Sequence, residues 1–107
     1  MIVLGIDPGY AIVGYGIIEM KGNRYRTLEH GAVTTKAGVD FNRRLEIIFD
    51  GMTEIFARYR PDAVSVEKLY FSNNKTTGIG VAEARGVILL AAQKAGVPVF
   101  EYTPVQV

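Results

Sequence analysis

Two carboxylates stand out by position. Asp7 closes the apolar run Ile2-Val3-Leu4-Gly5-Ile6 and precedes Pro8-Gly9, and Glu67 closes the shorter run Ala63-Val64-Ser65-Val66. Both runs read as buried strands, the first as one buried on both faces in the middle of a sheet. Acidic groups seldom sit in such places without something to pair with. If the two strands are parallel neighbours, their backbones lie ~4.8 Å apart and the two side chains project together. Two ionised carboxylates ~5 Å apart repel by roughly 3 kcal/mol at an effective dielectric of about 20. Either one takes up a proton or a cation sits between them. Oxygen donors with no His or Cys nearby favour magnesium, or manganese, over zinc. The plainer alternative has Asp7 capping the turn at Gly9 and Glu67 pairing with Lys68 or Arg85.

The elements that must position this pair follow from the hydrophobic pattern. Pro8-Gly9 turns the chain sharply behind Asp7. Ala11 to Met20, rich in β-branched, aromatic and glycine residues, predicts a second strand. Lys21-Gly22-Asn23 is turn chemistry, and Tyr25 to Thr34 returns as a third strand of an antiparallel meander. Lys36 to Asp40 is a loop. The period then changes: Leu45, Ile48, Phe49, Met52, Ile55, Phe56 and Tyr59 share one helical face, with Asp40 as N-cap and Pro61 as terminator. A strand from Ala63 ends on Glu67, and a polar loop covers Tyr70 to Thr77. A second helix runs from about Gly78 to Ala95 with Gly96 as C-cap, and Val97 to Tyr102 is the last strand. A strand–helix–strand unit requires parallel strands and a right-handed crossover. The order βββαβαβ gives an α/β fold with a mixed sheet, whose sites form beyond the carboxyl ends of its strands.

Composition narrows the function classes. With 107 residues the chain makes one domain, 1–107, and the 49% hydrophobic and 21% charged shares are those of a globular protein. There is no cysteine, which excludes disulfides and thiolate metal sites. No apolar run approaches a membrane span and no signal peptide opens the chain, so no membrane partner and a cytoplasmic location are expected. A net charge of +1 is too small to argue for nucleic acid by itself. The chain stops five residues after a core strand, which leads us to expect a domain truncated at its C-terminus.

The ordered set Leu4-Gly5-Ile6-Asp7-Pro8-Gly9, Gly14-Tyr15-Gly16, Val66-Glu67, Ala84-Arg85-Gly86-Val87 and Pro98-Val99-Phe100-Glu101-Tyr102 resembles the RuvC family of Holliday-junction resolvases. The likeness covers essentially the whole chain. The opening motif alone is shared by many ribonuclease H-like proteins, whereas the ordered set is specific. The resemblance implies a ribonuclease H-like fold and a homodimer that cuts two symmetric strands of a four-way DNA junction. It implies that Asp7 and Glu67 are metal-binding catalytic carboxylates, Asp7 bridging two magnesium ions and Glu67 holding one. It also implies the branch-migration helicase machinery (RuvA and RuvB) as partners in recombination and repair. The family's remaining catalytic aspartates lie on a later helix, before which this chain ends. Asp40, Asp50 and Asp62 do not occupy that place, so a nuclease core inactive as it stands is expected.

The loop after Glu67 joins Tyr70 and Phe71 to Asn73, Asn74, Lys75 and Thr76. Aromatics in a polar loop suit stacking on unpaired bases, worth about 1–3 kcal/mol each, and the polar groups suit phosphates. The resemblance implies that an aromatic at Tyr70 wedges into the junction, with Phe71 beside it as a second candidate. The plainer alternative packs both rings under their own loop. Lys68 and Arg85 complete the expected DNA contacts. The small residues of the second helix, Gly78, Gly80, Ala82, Ala84, Gly86, Ala91, Ala92 and Ala95, suit either packing on its own sheet or the implied two-fold contact. His30 reads as an ordinary half-buried histidine, and Arg43 and Arg44 as a solvated helix start. Arg24, Arg26 and Lys36 are possible additions to a DNA-facing patch.

Two rivals remain. An actin-like or sugar-kinase-like nucleotide-binding domain shares this fold and would bring Asp7 and Gly9 to phosphates. It expects hydroxyl residues where Tyr10 and Ala11 stand, and a second lobe. A non-catalytic DNA-binding module is the other.

Overall fold

The computed structural model describes residues 1–9, 11–67 and 75–102, without the side chains of 75–77 and 102. The strands are β1 (Ile2–Pro8), β2 (Ile12–Lys21), β3 (Arg24–Thr34), β4 (Ala63–Glu67) and β5 (Val99–Tyr102). The helices are α1 (Phe41–Tyr59) between β3 and β4, and α2 (Lys75–Ala95) between β4 and β5. The five strands form one sheet in the order β3-β2-β1-β4-β5. The first three pair antiparallel, and β1·β4 and β4·β5 are parallel, which is the mixed α/β sheet expected.

Local chemistry accounts for the element ends. The Asp40 carboxylate accepts from the main-chain N–H groups of Asn42 and Arg43, at 3.1 and 3.3 Å, and so caps α1. Arg60, ahead of Pro61, takes a left-handed conformation with φ 46°, and its N–H donates to the Phe56 carbonyl. Gly96 closes α2 with φ 74°, which glycine adopts without steric cost. A side chain on Gly9 would run into the Ile12 carbonyl, so the turn behind Asp7 needs glycine.

One core holds the sheet to both helices. Leu4 and Ile6 of β1, Val13 and Ile17 of β2 and Val64 and Val66 of β4 pack against Ile48, Met52, Ile55 and Phe56 of α1. Ala84, Ile88, Ala91 and Ala92 of α2 complete it, so part of the small-residue surface of α2 serves its own sheet. Ile79 and Leu90 of the same helix are exposed.

Four expectations are corrected. Strand β1 is buried on one face only: Leu4 and Ile6 are enclosed, whereas Val3 and Gly5 are half-buried and Asp7 exposed. Helix α2 begins at Lys75 rather than Gly78, absorbing the end of the expected loop. His30 is exposed, not half-buried, on the outer strand β3. Arg44 is 7% exposed rather than solvated, because it sits four residues before Ile48 on the same apolar stripe.

Candidate active site

Register brings the two carboxylates together. In the parallel β1·β4 ladder Ile6 lies opposite Val66, so Asp7 and Glu67 are the next residues on adjacent strands, at the carboxyl ends of both. Strand backbones at that separation are ~4.8 Å apart. Ile6 and Val66 point into the core, so Asp7 and Glu67 project from the opposite face. Among the described residues no helix covers that face.

The surroundings of the pair are sparse. Gly14 lies opposite Asp7 and Gly16 opposite Gly5 in the β1·β2 ladder. A Cβ on Gly14 would stand 4.0 Å from that of Asp7. The two glycines leave the sheet beside the carboxylate bare of side chains. Asp7 is exposed and Glu67 half-buried. Among the described residues neither carboxylate accepts a hydrogen bond or forms an ion pair. Of the plainer alternative, neither a cap from Asp7 onto Gly9 nor a carboxylate pair of Glu67 with Arg85 is present among the described residues, and Lys68, its other partner for Glu67, lies outside them.

Two adjacent carboxylates with open oxygen lone pairs fit a hard divalent cation such as magnesium or manganese. Among the described residues no third acidic or histidine side chain joins them.

The other candidates divide. Lys68, Tyr70, Phe71, Asn73 and Asn74 lie outside the described residues. Lys75 and Thr76 open α2, one element after Glu67. Arg85 is committed to the fold. Its Nε donates to the main-chain carbonyl of Glu67 at 3.4 Å, and its Nη2 stands 2.8 Å from Glu101 Oε2. Arg24 and Arg26 lie in the first three residues of β3, just after the β2–β3 turn at the opposite end of the sheet from Asp7, and Arg26 is ion-paired with Glu19. Lys36 follows Thr35, whose N–H donates to the Ala11 carbonyl, and so lies at the Asp7 end.

Glu101 is the residue the sequence reading missed. It lies next to the end of β5, but opposite Val66 and not Glu67, so its carboxylate emerges on the helix side. Its place one residue before the strand's last was the available signal, legible only with the register.

Comparison with known proteins extends over the same elements. The family model for crossover junction endodeoxyribonuclease RuvC matches residues 3–107. The crossover junction endodeoxyribonuclease RuvC of Rubrobacter xylanophilus is 55% identical over 106 residues, covering 99% of this chain and 59% of that protein. Its counterpart in Brevibacillus brevis is 52% identical over 107 residues, covering 100% of this chain and 64% of that protein. The chain thus spans less than two thirds of the length of either relative. Among solved structures, T. thermophilus RuvC in complex with Holliday junction substrate matches with a TM-score of 0.92 at 36% identity, covering 99% of this chain and 68% of that one. A mixed sheet with carboxylates at the ends of its two central parallel strands, matched in sequence from residue 3 to residue 107, places the chain in the RuvC family of crossover junction endodeoxyribonucleases.

Proposed function

We propose that this chain carries the Asp7–Glu67 portion of the catalytic centre of an endonuclease that resolves four-way DNA junctions by magnesium-dependent phosphodiester hydrolysis. The observation that carries this reading is the parallel register that sets Asp7 beside Glu67 on the open face of the sheet. Magnesium, when bound, supplies Lewis-acid stabilisation of the scissile phosphate and acidifies the attacking water. The chain's residues do the positioning. Asp7, exposed and beside the bare Gly14, would hold metal through its carboxylate. Glu67, half-buried, would be the neighbouring carboxylate ligand.

On this reading Tyr70 or Phe71 stacks on bases at the junction, while Lys68, Asn73, Asn74, Lys75 and Thr76 contact phosphates. Helix α2, with Ile79 and Leu90 exposed, forms a homodimer contact. The branch-migration proteins are partners of the whole assembly. Among the described residues Asp7 and Glu67 are the acidic side chains brought together here, so a second ion would need further ligands from outside them. The nucleotide-binding alternative is not favoured, since the relatives matched along the chain are junction endonucleases.

The test is a manganese titration followed through the Asp7 and Glu67 signals, with binding of a four-way junction and of linear duplex compared at one salt concentration. Perturbation of both residues at millimolar metal and preference for the junction are expected. No response of either carboxylate would sink the metal site, and ATP binding would restore the rival.

A further inference from the structure

Arg85 occupies a position that its charge alone does not explain. It projects from the middle of α2, is 14% exposed on its side chain, and spans two strand ends. One nitrogen reaches the carbonyl of Glu67, the last residue of β4, and another reaches the carboxylate of Glu101 near the end of β5. The planar guanidinium holds these two contacts in one rigid group, a hydrogen bond from Nε to the Glu67 carbonyl and an ion pair from Nη2 to Glu101 that is not an aligned hydrogen bond. A guanidinium so enclosed and already paired with a carboxylate is poorly placed to meet a DNA phosphate.

The need for such a tie follows from the site. Asp7 and Glu67, adjacent in register, carry like charges that repel when no cation lies between them. Strand ends are also where ladders fray. Arg85 grips the main chain of Glu67 from the helix side, while the Glu67 carboxylate emerges on the other. We propose that Arg85, anchored by Glu101, is a positioning residue that holds the end of β4 so that Glu67 stays within reach of a cation shared with Asp7. This rests on the metal-site reading above and adds the device that sets its geometry. Glu101, though a carboxylate at a strand end, serves as the anchor and not as a ligand.

The experiment uses the full-length protein with Arg85→Gln, Arg85→Lys, Glu101→Gln and, as reference, Asp7→Asn. Manganese affinity is measured by calorimetry, junction cleavage as a function of magnesium, junction binding without divalent metal, and thermal unfolding. Outer-shell partners of metal sites are worth about 10–100-fold in affinity; for a tie to a ligand's main chain, Arg85→Gln and Glu101→Gln are each expected to weaken manganese binding by about three- to tenfold. The half-saturating magnesium concentration rises in step, the rate at saturating metal is retained, and junction binding without metal is unchanged. Arg85→Lys, which keeps the charge but not the fork, falls between. Unchanged metal affinity with a lowered unfolding temperature would make the tie merely structural and overturn the proposal. So would a loss of junction affinity in Arg85→Gln with a gain in Glu101→Gln, the signature of a DNA contact. A parent protein that binds manganese no better than Asp7→Asn would instead overturn the metal site itself, and the positioning role with it.

Discussion

The β1·β4 pair carries an aspartate at each end, and the two are used in opposite ways. At the amino end Asp62 is fully engaged: its Oδ2 accepts from the Ile2 N–H at 2.7 Å, and its own N–H donates to the Ile2 carbonyl at 2.7 Å. At the carboxyl end Asp7 makes no such bond among the described residues and sits beside Glu67, a second negative charge. The same side chain therefore splices two strands at one end and leaves them in electrostatic conflict at the other. A satisfied carboxylate holds the fold, whereas an unsatisfied pair is a place for something else to bind. Arg85 and Glu101 share that carboxyl end but lie on the helix side, where the charges are matched.

The contrast can be broken first at Asp7. In the full-length protein Asp7→Asn is expected to slow metal-dependent junction cleavage by about a thousandfold or more, the several kcal/mol that metal ions contribute to such transition states. Thermal unfolding without metal should stay level or rise slightly, because the repulsion with Glu67 is gone. A large fall in stability would mean that Asp7, like Asp62, serves the fold. Between the two ends, Leu4 is fully buried, and Leu4→Ala should cost about 2–5 kcal/mol in denaturant unfolding.

At the amino end, Asp62→Ala removes one hydrogen bond to an exposed strand start, so a loss of about 1 kcal/mol is expected in the same assay. Manganese binding should not change. If it does, the two ends are coupled and Asp62 does more than hold the fold. The smallest effect is expected at the hairpin, where Arg26 pairs with Glu19 at 3.1 Å on a side chain 72% exposed. Arg26→Gln should alter stability by less than about 0.5 kcal/mol. Its junction affinity tests whether that far end meets a DNA arm at all.

Much of this was legible before any coordinates. Asp40 reads as a cap because a short carboxylate precedes a helical period, and Gly96 because only glycine takes that φ cheaply. The stripe Ile48, Met52, Ile55 and Phe56 follows from the 3.6-residue repeat. The same repeat also placed Arg44 on the stripe, and its charge wrongly argued for solvent. The apolar run of β1 suggested burial on both faces, since a run does not reveal that on the open side Gly5 and Asp7 lie opposite glycines, Gly16 and Gly14. The start of α2 was set too late because Thr76 and Thr77 read as loop residues.

By itself the sequence determined the kinds and order of the elements and put Asp7 and Glu67 at strand ends, because strand and helix periods, caps and turns are local properties of neighbouring residues. Tertiary structure decided which carboxylates meet. The parallel register that sets Ile6 opposite Val66 brings Asp7 to Glu67, while the register of β5 turns Glu101 away toward Arg85. Side chains alternate across a sheet, so a slip of one residue would exchange those roles. That choice rests on contacts between residues distant in the chain, which no local pattern encodes.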